Sequence, residues 1–197
     1  MFAIQQYLNE QREIVEDGLQ RCMMQAESVF SGHIEAMRYS LFVGGKRIRP
    51  ILCLAAGQSV ADTPEIEKKI LLPACALECL HTYSLIHDDL PAMDNDDLRR
   101  GQATCHKKFG EAEAILAGDG LLTYTFFLLS NTNLPGPTAE IRLQLIAVLA
   151  QAAGSQGMVG GQYLDIASEE KTISFEQLKT IHRSKTGALI TAAVRMG

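Results

Sequence analysis

Apolar residues recur at three- and four-residue intervals along almost the whole chain, and almost no stretch alternates as a half-buried strand does. This periodicity predicts an all-α protein. The expected helices run over about Phe2–Phe30, His33–Val43, Arg49–Val60, Pro64–Leu90, Gly110–Ser130, Thr138–Ala167 and Phe175 to the end. Their breaks fall where stop and start residues stand. "ADTPE" offers Asp62 or Thr63 as an N-cap with Pro64 at the first helical position, "NLPGPT" parts two helices, and Ser174 is followed three residues later by Gln177. One helical segment resists its own pattern. "AAGSQGMVGGQYLDIAS" carries Gly154, Gly157, Gly160 and Gly161, each costing up to about 1 kcal/mol relative to alanine in a helix interior. Either close helix packing or a ligand near the backbone would offset that cost.

Composition narrows the class. With 197 residues, 47% apolar and 21% charged, the chain reads as one soluble domain over 1–197, long enough to bury a sizeable core. A net charge of -5 supplies no basic field, so a nucleic-acid partner is not expected. Five cysteines, with no Cys-x-x-Cys among them, read as reduced thiols in the core. The N-terminus lacks the basic and apolar regions of a signal peptide, and the apolar tract "AILAGDGLLTYTFFLLS" is broken by Asp119 and falls short of the roughly 20 residues that cross a bilayer. A cytoplasmic location without a membrane span is expected.

The chemistry concentrates in "LIHDDLPAMDNDDLRRGQ", Leu85 to Gln102. On an unbroken helix Asp88 and Asp94 would diverge by roughly 120°, too far to share a cation. Pro91 removes a helical hydrogen bond and clashes with the preceding turn, which lets Asp94 swing back towards Asp88. Clustered carboxylates beside an apolar helix call for a neutralising cation, and oxygen ligands of this kind suit Mg²⁺ sharing its shell with a substrate phosphate. Zinc fits less well, because His81 and His87 lack the i, i+4 spacing of a helical zinc pair. Arg99 and Arg100 then suit diphosphate oxygens, which guanidinium groups hold bidentately. "GGKRIRP" adds Lys46, Arg47 and Arg49 beside two glycines, and "HRSKTGA" adds Lys185 and Thr186. Either basic group alone also fits a solvated surface.

Taken in order, "GGKRIRP", "LECLHTYSLIHDDLPAMDNDDLRRG", "AILAGDGLL", "GQYLD" and "SKTGAL" resemble the trans-isoprenyl diphosphate synthases, most closely their farnesyl-producing bacterial members. The resemblance implies an isoprenoid synthase-type helical bundle with a central substrate cavity and Mg²⁺-dependent condensation of isopentenyl diphosphate with an allylic diphosphate. It implies that Asp88 and Asp94 are metal ligands supported by Asp89, that Arg99 grips the allylic diphosphate, and that Lys46, Arg49, His81 and Arg100 form the isopentenyl diphosphate pocket. Lys185 and Thr186 would hold the leaving diphosphate. Gln162 and Asp165 would line the cavity, Asp165 at the metal. Tyr83 and Ser84, one turn or more before Asp88, would form the floor that sets product length.

Two features depart from the family pattern. Gln102 and Ala103 stand where Lys-Pro is common, and nothing after Asp165 has the form of a second aspartate-rich motif, so a truncated bundle with little turnover of its own is expected. A homodimer through apolar helix faces such as "LLTYTFFLLS" is expected as well. Three alternatives remain open. A geranylgeranyl or longer-chain synthase shares these motifs. A non-catalytic subunit of a heteromeric synthase has no need of Asp88, Asp94, Arg99 and Arg100 together, and a carboxylate-metal hydrolase leaves "GGKRIRP" and Arg100 unexplained.

Overall fold

The computed structural model describes residues 3–197 as a bundle of α-helices. In chain order these are α1 (Ile4–Cys22), α2 (Ser31–Phe42), α3 (Ile48–Val60), α4 (Pro64–Asp88), α5 (Cys105–Phe109), α6 (Glu111–Ser130), α7 (Ala139–Ala153), α8 (Met158–Ala167), α9 (Phe175–His182) and α10 (Ala188–Met196). A π-helical turn, Arg183–Gly187, joins the last two, and a two-residue antiparallel pair, β1 (Leu98–Arg99) with β2 (Gln102–Ala103), precedes α5.

Several helix starts follow from local chemistry. Thr63, not Asp62, caps α4 by accepting the Ile66 amide at 3.3 Å, with Pro64 in the first turn and Glu65 and Glu67 facing the helix dipole. Thr138 caps α7 in the same way, and Ser174 with Gln177 forms the full capping box on α9. The core runs along α4, whose Ala76, Leu77, Cys79 and Leu80 have no exposure, and α6, α3 and α1 pack around it.

The structure corrects four boundaries. The first helix was expected to run on to Phe30, but α1 stops at Cys22; its expected start at Phe2 lies outside the described residues. Tertiary donors satisfy carbonyls at and just beyond its end: the Tyr124 hydroxyl donates to the Cys22 carbonyl and Arg38 to that of Met24 at 3.1 Å. Met23 is then free to turn into the core, where it is 2% exposed. Residues 138–167 form two helices, because a side chain at Gly157 would stand 2.0 Å from the Ala152 carbonyl oxygen, a turn only glycine can make. The final helix contains the π turn. The segment 98–109 holds the short strand pair and α5, where no element was expected.

The length argument against a membrane span does not hold. Both α4 and α6 are long and apolar enough to cross a bilayer, although 72% of the apolar window of α4 lies inside the bundle. For α6 the figure is 44%, and Leu116 and Phe127 remain exposed on it.

The guanidinium of Arg47 has no side-chain exposure. It donates to Glu16 of α1 at 2.7 Å, to Glu78 of α4 at 2.7 Å and to the Leu41 carbonyl of α2 at 2.7 Å. Removing one partner of such a buried pair leaves an uncompensated charge. Arg47→Ala is expected to destabilise the fold by roughly 3–5 kcal/mol, read from the urea midpoint at constant m-value; a loss below about 1 kcal/mol, the scale of an exposed pair, would show the network to be dispensable.

Candidate active site

Helix α4 ends at Asp88, and the chain then closes a tight turn around Pro91. The Asp94 amide donates to the Asp88 carbonyl at 2.9 Å, and the Met93 and Asn95 amides both donate to the Leu90 carbonyl, at 2.8 and 3.1 Å. The proline therefore folds the motif back, and Asp94 comes close enough for its charge to act on Asp88. Burial pushes the Asp88 carboxyl above its usual range; the Lys185 ammonium opposes this, and Asp94 and Asp89 reinforce it.

Across the cleft, Gln162 of α8 donates to Asp88 at 2.6 Å, and Lys185 in the π turn donates to Asp165 at 2.6 Å. Burial would lower the Lys185 pKa, but the bond to Asp165 and the charges of Asp88, Asp165 and Asp94 outweigh it and hold the ammonium above its ordinary value. Gly161 makes this arrangement possible. A Cβ there would stand 2.1 Å from the Lys185 amide nitrogen, so of the two readings of the glycine-rich segment, Gly161 serves helix packing that carries Lys185. π turns recur at functional sites because they re-aim side chains within a helix.

Asp88, Gln162 and Lys185 line a cleft of about 320 Å³ together with Arg49, His81, Tyr83, Ser84, Leu85, His87, Met93, Met158, Val159 and Thr186. A second cleft, of about 590 Å³, is lined by Arg12, Gly45, Lys46, Arg47, Arg49, Glu78, His81 and Arg100. Arg49 and His81 belong to both. The Arg49 guanidinium stands 3.1 Å from His81 Nε2, while its own Nε is buried without a partner among the described residues. Burial lowers the Arg49 pKa, and burial together with the neighbouring arginines depresses His81 to about 3, so its imidazole is neutral at physiological pH.

The four arginines differ in what they are free to do. Arg47 is committed to the buried network. Arg99 turns both Nε (2.8 and 2.9 Å) and Nη2 onto Asp89, which is 3% exposed, and this bond outweighs burial to raise the Arg99 pKa. Arg100, with Gly101, forms a turn with positive φ between β1 and β2, and its guanidinium lies over Gly45, where a Cβ would be 2.4 Å from Nη1. Arg100 is thereby presented to the basic cleft beside Lys46.

The structure thus brings Asp88, Gln162, Lys185, Thr186, Tyr83 and Ser84 to one cleft, and Lys46, Arg49, His81 and Arg100 to its neighbour. Arg12 and the apolar lining of Met93, Met158 and Val159 were not foreseen, because nothing in the local sequence of α1 marks Arg12 as different from a solvated cation. Asp165 is paired with Lys185, and among the described residues no three His, Cys, Asp or Glu side chains are grouped as metal ligands. Asp88 and Asp94 are left as a pair of hard oxygen donors, which fits an ion that completes its shell with water and ligand oxygens.

Residues 33–197 match the family described as Polyprenyl synthetase. The chain belongs to that family. It is similar to a farnesyl diphosphate synthase of Geobacillus stearothermophilus (49% identical over 99% of this chain and 64% of the relative) and to a geranylgeranyl diphosphate synthase of Cyanophora paradoxa (49% identical over 100% of this chain and 64% of the relative). A solved geranyltransferase of Legionella pneumophila superposes with a TM-score of 0.88 at 42% identity, covering 98% of this chain and 67% of that one. The chain therefore spans less than two thirds of the length of these curated relatives. The all-α bundle is the fold of the family.

His81 makes a pH dependence testable. Its folded pKa of about 3 lies below the ordinary value of 6.5, so the unfolded chain binds a proton that the native state refuses. Its contribution is complete above pH 6.5 and is lost as pH falls towards 3, at roughly 1.4 kcal/mol per pH unit. Urea unfolding at pH 7 and pH 5 is expected to show this loss, and His81→Gln is expected to shrink it; an unchanged difference in the variant would assign the loss elsewhere.

Proposed function

We propose that this chain is a prenyltransferase whose two clefts hold an allylic diphosphate and isopentenyl diphosphate side by side, with farnesyl diphosphate as the product. The observation that carries the reading is the pair of adjoining clefts that share Arg49 and His81, one ending at the Asp88 carboxylate and the other lined by the cations Arg12, Lys46, Arg49 and Arg100 beside the committed Arg47. A condensation of two diphosphates needs two anion sites with their carbon ends facing each other, and no protein nucleophile. Names among the relatives support the substrate class, and they include geranylgeranyl synthases, so product length rests on the cleft rather than on similarity.

In this reading Asp88 and Asp94 hold Mg²⁺, which when bound would stabilise negative charge growing on the leaving diphosphate. Lys185 and Thr186 border the same cleft, with the ammonium kept charged by Asp165 and Asp88. Gln162 orients the Asp88 carboxylate. Arg99 holds Asp89 in place and brings its positive charge to bear on Asp88. Lys46, Arg49, Arg100 and Arg12 bind the isopentenyl diphosphate. His81, neutral and in contact with Arg49, adds a polar partner without adding charge. The apolar walls from Met93, Met158 and Val159 exclude water from the reacting carbons.

The exposed apolar face of α6, with Leu116 and Phe127, supports a homodimer, and the charge and reduced thiols of the chain support a cytoplasmic setting. Light scattering at micromolar concentration tests the first.

Calorimetry on the 197-residue chain is expected to show geranyl diphosphate binding that requires Mg²⁺ and is lost in Asp88→Ala, and isopentenyl diphosphate binding that weakens in Lys46→Ala and Arg100→Ala. Each lost charge-assisted contact corresponds to roughly 1.5–3 kcal/mol, about 10- to 150-fold in affinity. Equal losses for both ligands in all three variants would overturn the two-pocket assignment, and no diphosphate binding at all would favour a non-catalytic subunit. Tyr83, 6% exposed and edge-on to His87, borders the allylic cleft with Ser84. Tyr83→Ala is expected to shift preference from geranyl towards farnesyl diphosphate; an unchanged ratio would place the floor of the cleft elsewhere.

A further inference from the structure

Away from both clefts, α1 and α4 bring two thiols together. Cys22 is the last residue of α1, Cys75 lies near the middle of α4, and both line a third cleft of about 480 Å³ with Gly18, Leu71, Leu134 and Pro135. Arg21 and Lys68 stand at its edge. Gly18, one turn before Cys22, permits the approach: a Cβ there would meet Cys75 Sγ at 3.0 Å and Leu71 Cδ1 at 2.9 Å. Cys22 therefore faces Cys75 across the helix contact, and its thiol donates to the Leu19 carbonyl at 3.6 Å.

The two thiols are unequal. Cys22 is partly exposed, whereas Cys75 is 1% exposed. The neighbouring Cys75 thiol lowers the Cys22 pKa, against burial and with help from Arg21. The Cys22 neighbour, with burial, raises Cys75 well above the usual thiol value. An accessible, acidified thiol backed by a buried partner is the arrangement of an attacking and a resolving cysteine. Cys79, Cys53 and Cys105 are buried, raised in pKa chiefly by burial, and absent from this cleft.

We propose that Cys22 and Cys75 form a thiol–disulfide exchange site for a small anionic peptide disulfide of the oxidised glutathione type. The Cys22 thiolate attacks one sulfur, the disulfide bond breaks, and one glutathione thiolate leaves and takes up the proton that Cys22 gave. Cys75 then loses its proton and attacks the Cys22 sulfur, releasing the second glutathione as thiol. Two protein thiols are oxidised by two electrons while one disulfide is reduced to two thiols. Lys68 attracts the glutathione carboxylates, joined by Arg21, which is exposed and paired with Asp17 one turn earlier on α1.

The test is oxidation with oxidised glutathione, blocking with iodoacetamide and non-reducing peptide mapping by mass spectrometry. The expected result is loss of two of the five free thiols and a Cys22–Cys75 cross-linked peptide. Cys75→Ser should stop at one glutathione adduct on Cys22, and Cys22→Ser should leave its remaining thiols unmodified, with circular dichroism checking that both are folded. The double variant Arg21→Glu, Lys68→Glu should slow the reaction with oxidised glutathione by roughly tenfold or more relative to its rate with neutral hydroxyethyl disulfide at low salt. A Cys22–Cys79 bridge, equal adduct formation on Cys53 or Cys105, or a fully reduced wild-type chain after treatment would overturn the assignment.

Discussion

A cation shut away from water organises this bundle. The Arg47 guanidinium meets Glu16 from α1, Glu78 from α4 and the Leu41 carbonyl at the end of α2, and Arg47 itself opens α3 with left-handed backbone angles. Burial alone would favour a neutral group here. The two carboxylates reverse that preference and keep the charge in place. Four helices are thereby held in a single arrangement, since moving any of them would strand a buried charge. Lys46 and Arg49, on either side of Arg47, are directed into the basic cleft as a result, and Glu78 places His81 one turn further along α4.

Burial and partners, rather than residue type, divide the work among neighbouring arginines. Arg47 and Arg99 are both spent on carboxylates, one holding helices and the other holding Asp89 next to Asp88. Arg49 and Arg100 have lowered pKa values because burial is not matched by a close carboxylate, and these are the two that remain open to an anion. A diphosphate entering the basic cleft would supply the missing countercharge. Arg49 and Arg100 therefore carry a desolvation cost that a bound anion would relieve, a common arrangement at binding sites.

The second half of the site depends on backbone proximity. Lys185 reaches Asp165 because α8 and the π turn touch through Gly161, and Gln162, the next residue, then faces Asp88 across the cleft. Any larger residue at 161 would force the two segments apart and carry Lys185 with them. Packing density and chemistry meet at one missing methyl group.

The elements that local rules decide could be read directly. Thr63-Pro64, Thr138 and the Ser174–Gln177 box mark helix starts by short-range hydrogen bonds, and Pro91 breaks α4 after Asp88 by covalent geometry alone, so Asp94 returns towards Asp88 as its spacing implied. The end of α1 at Cys22 was not legible, because the Cys22 carbonyl is satisfied by Tyr124 and the Met24 carbonyl just beyond it by Arg38, both from elsewhere in the chain. Nor was the place of Arg12 in the basic cleft, or the separation of Arg47 from Lys46 and Arg49 in "GGKRIRP". Their residue types were plain, but burial, charge compensation and the meeting of distant helices exist only once the chain is packed. By itself the sequence determined the helical class, the carboxylate pair and the inventory of cations; the tertiary structure decided which cations are spent and which are free, because desolvation acts on position and not on residue type.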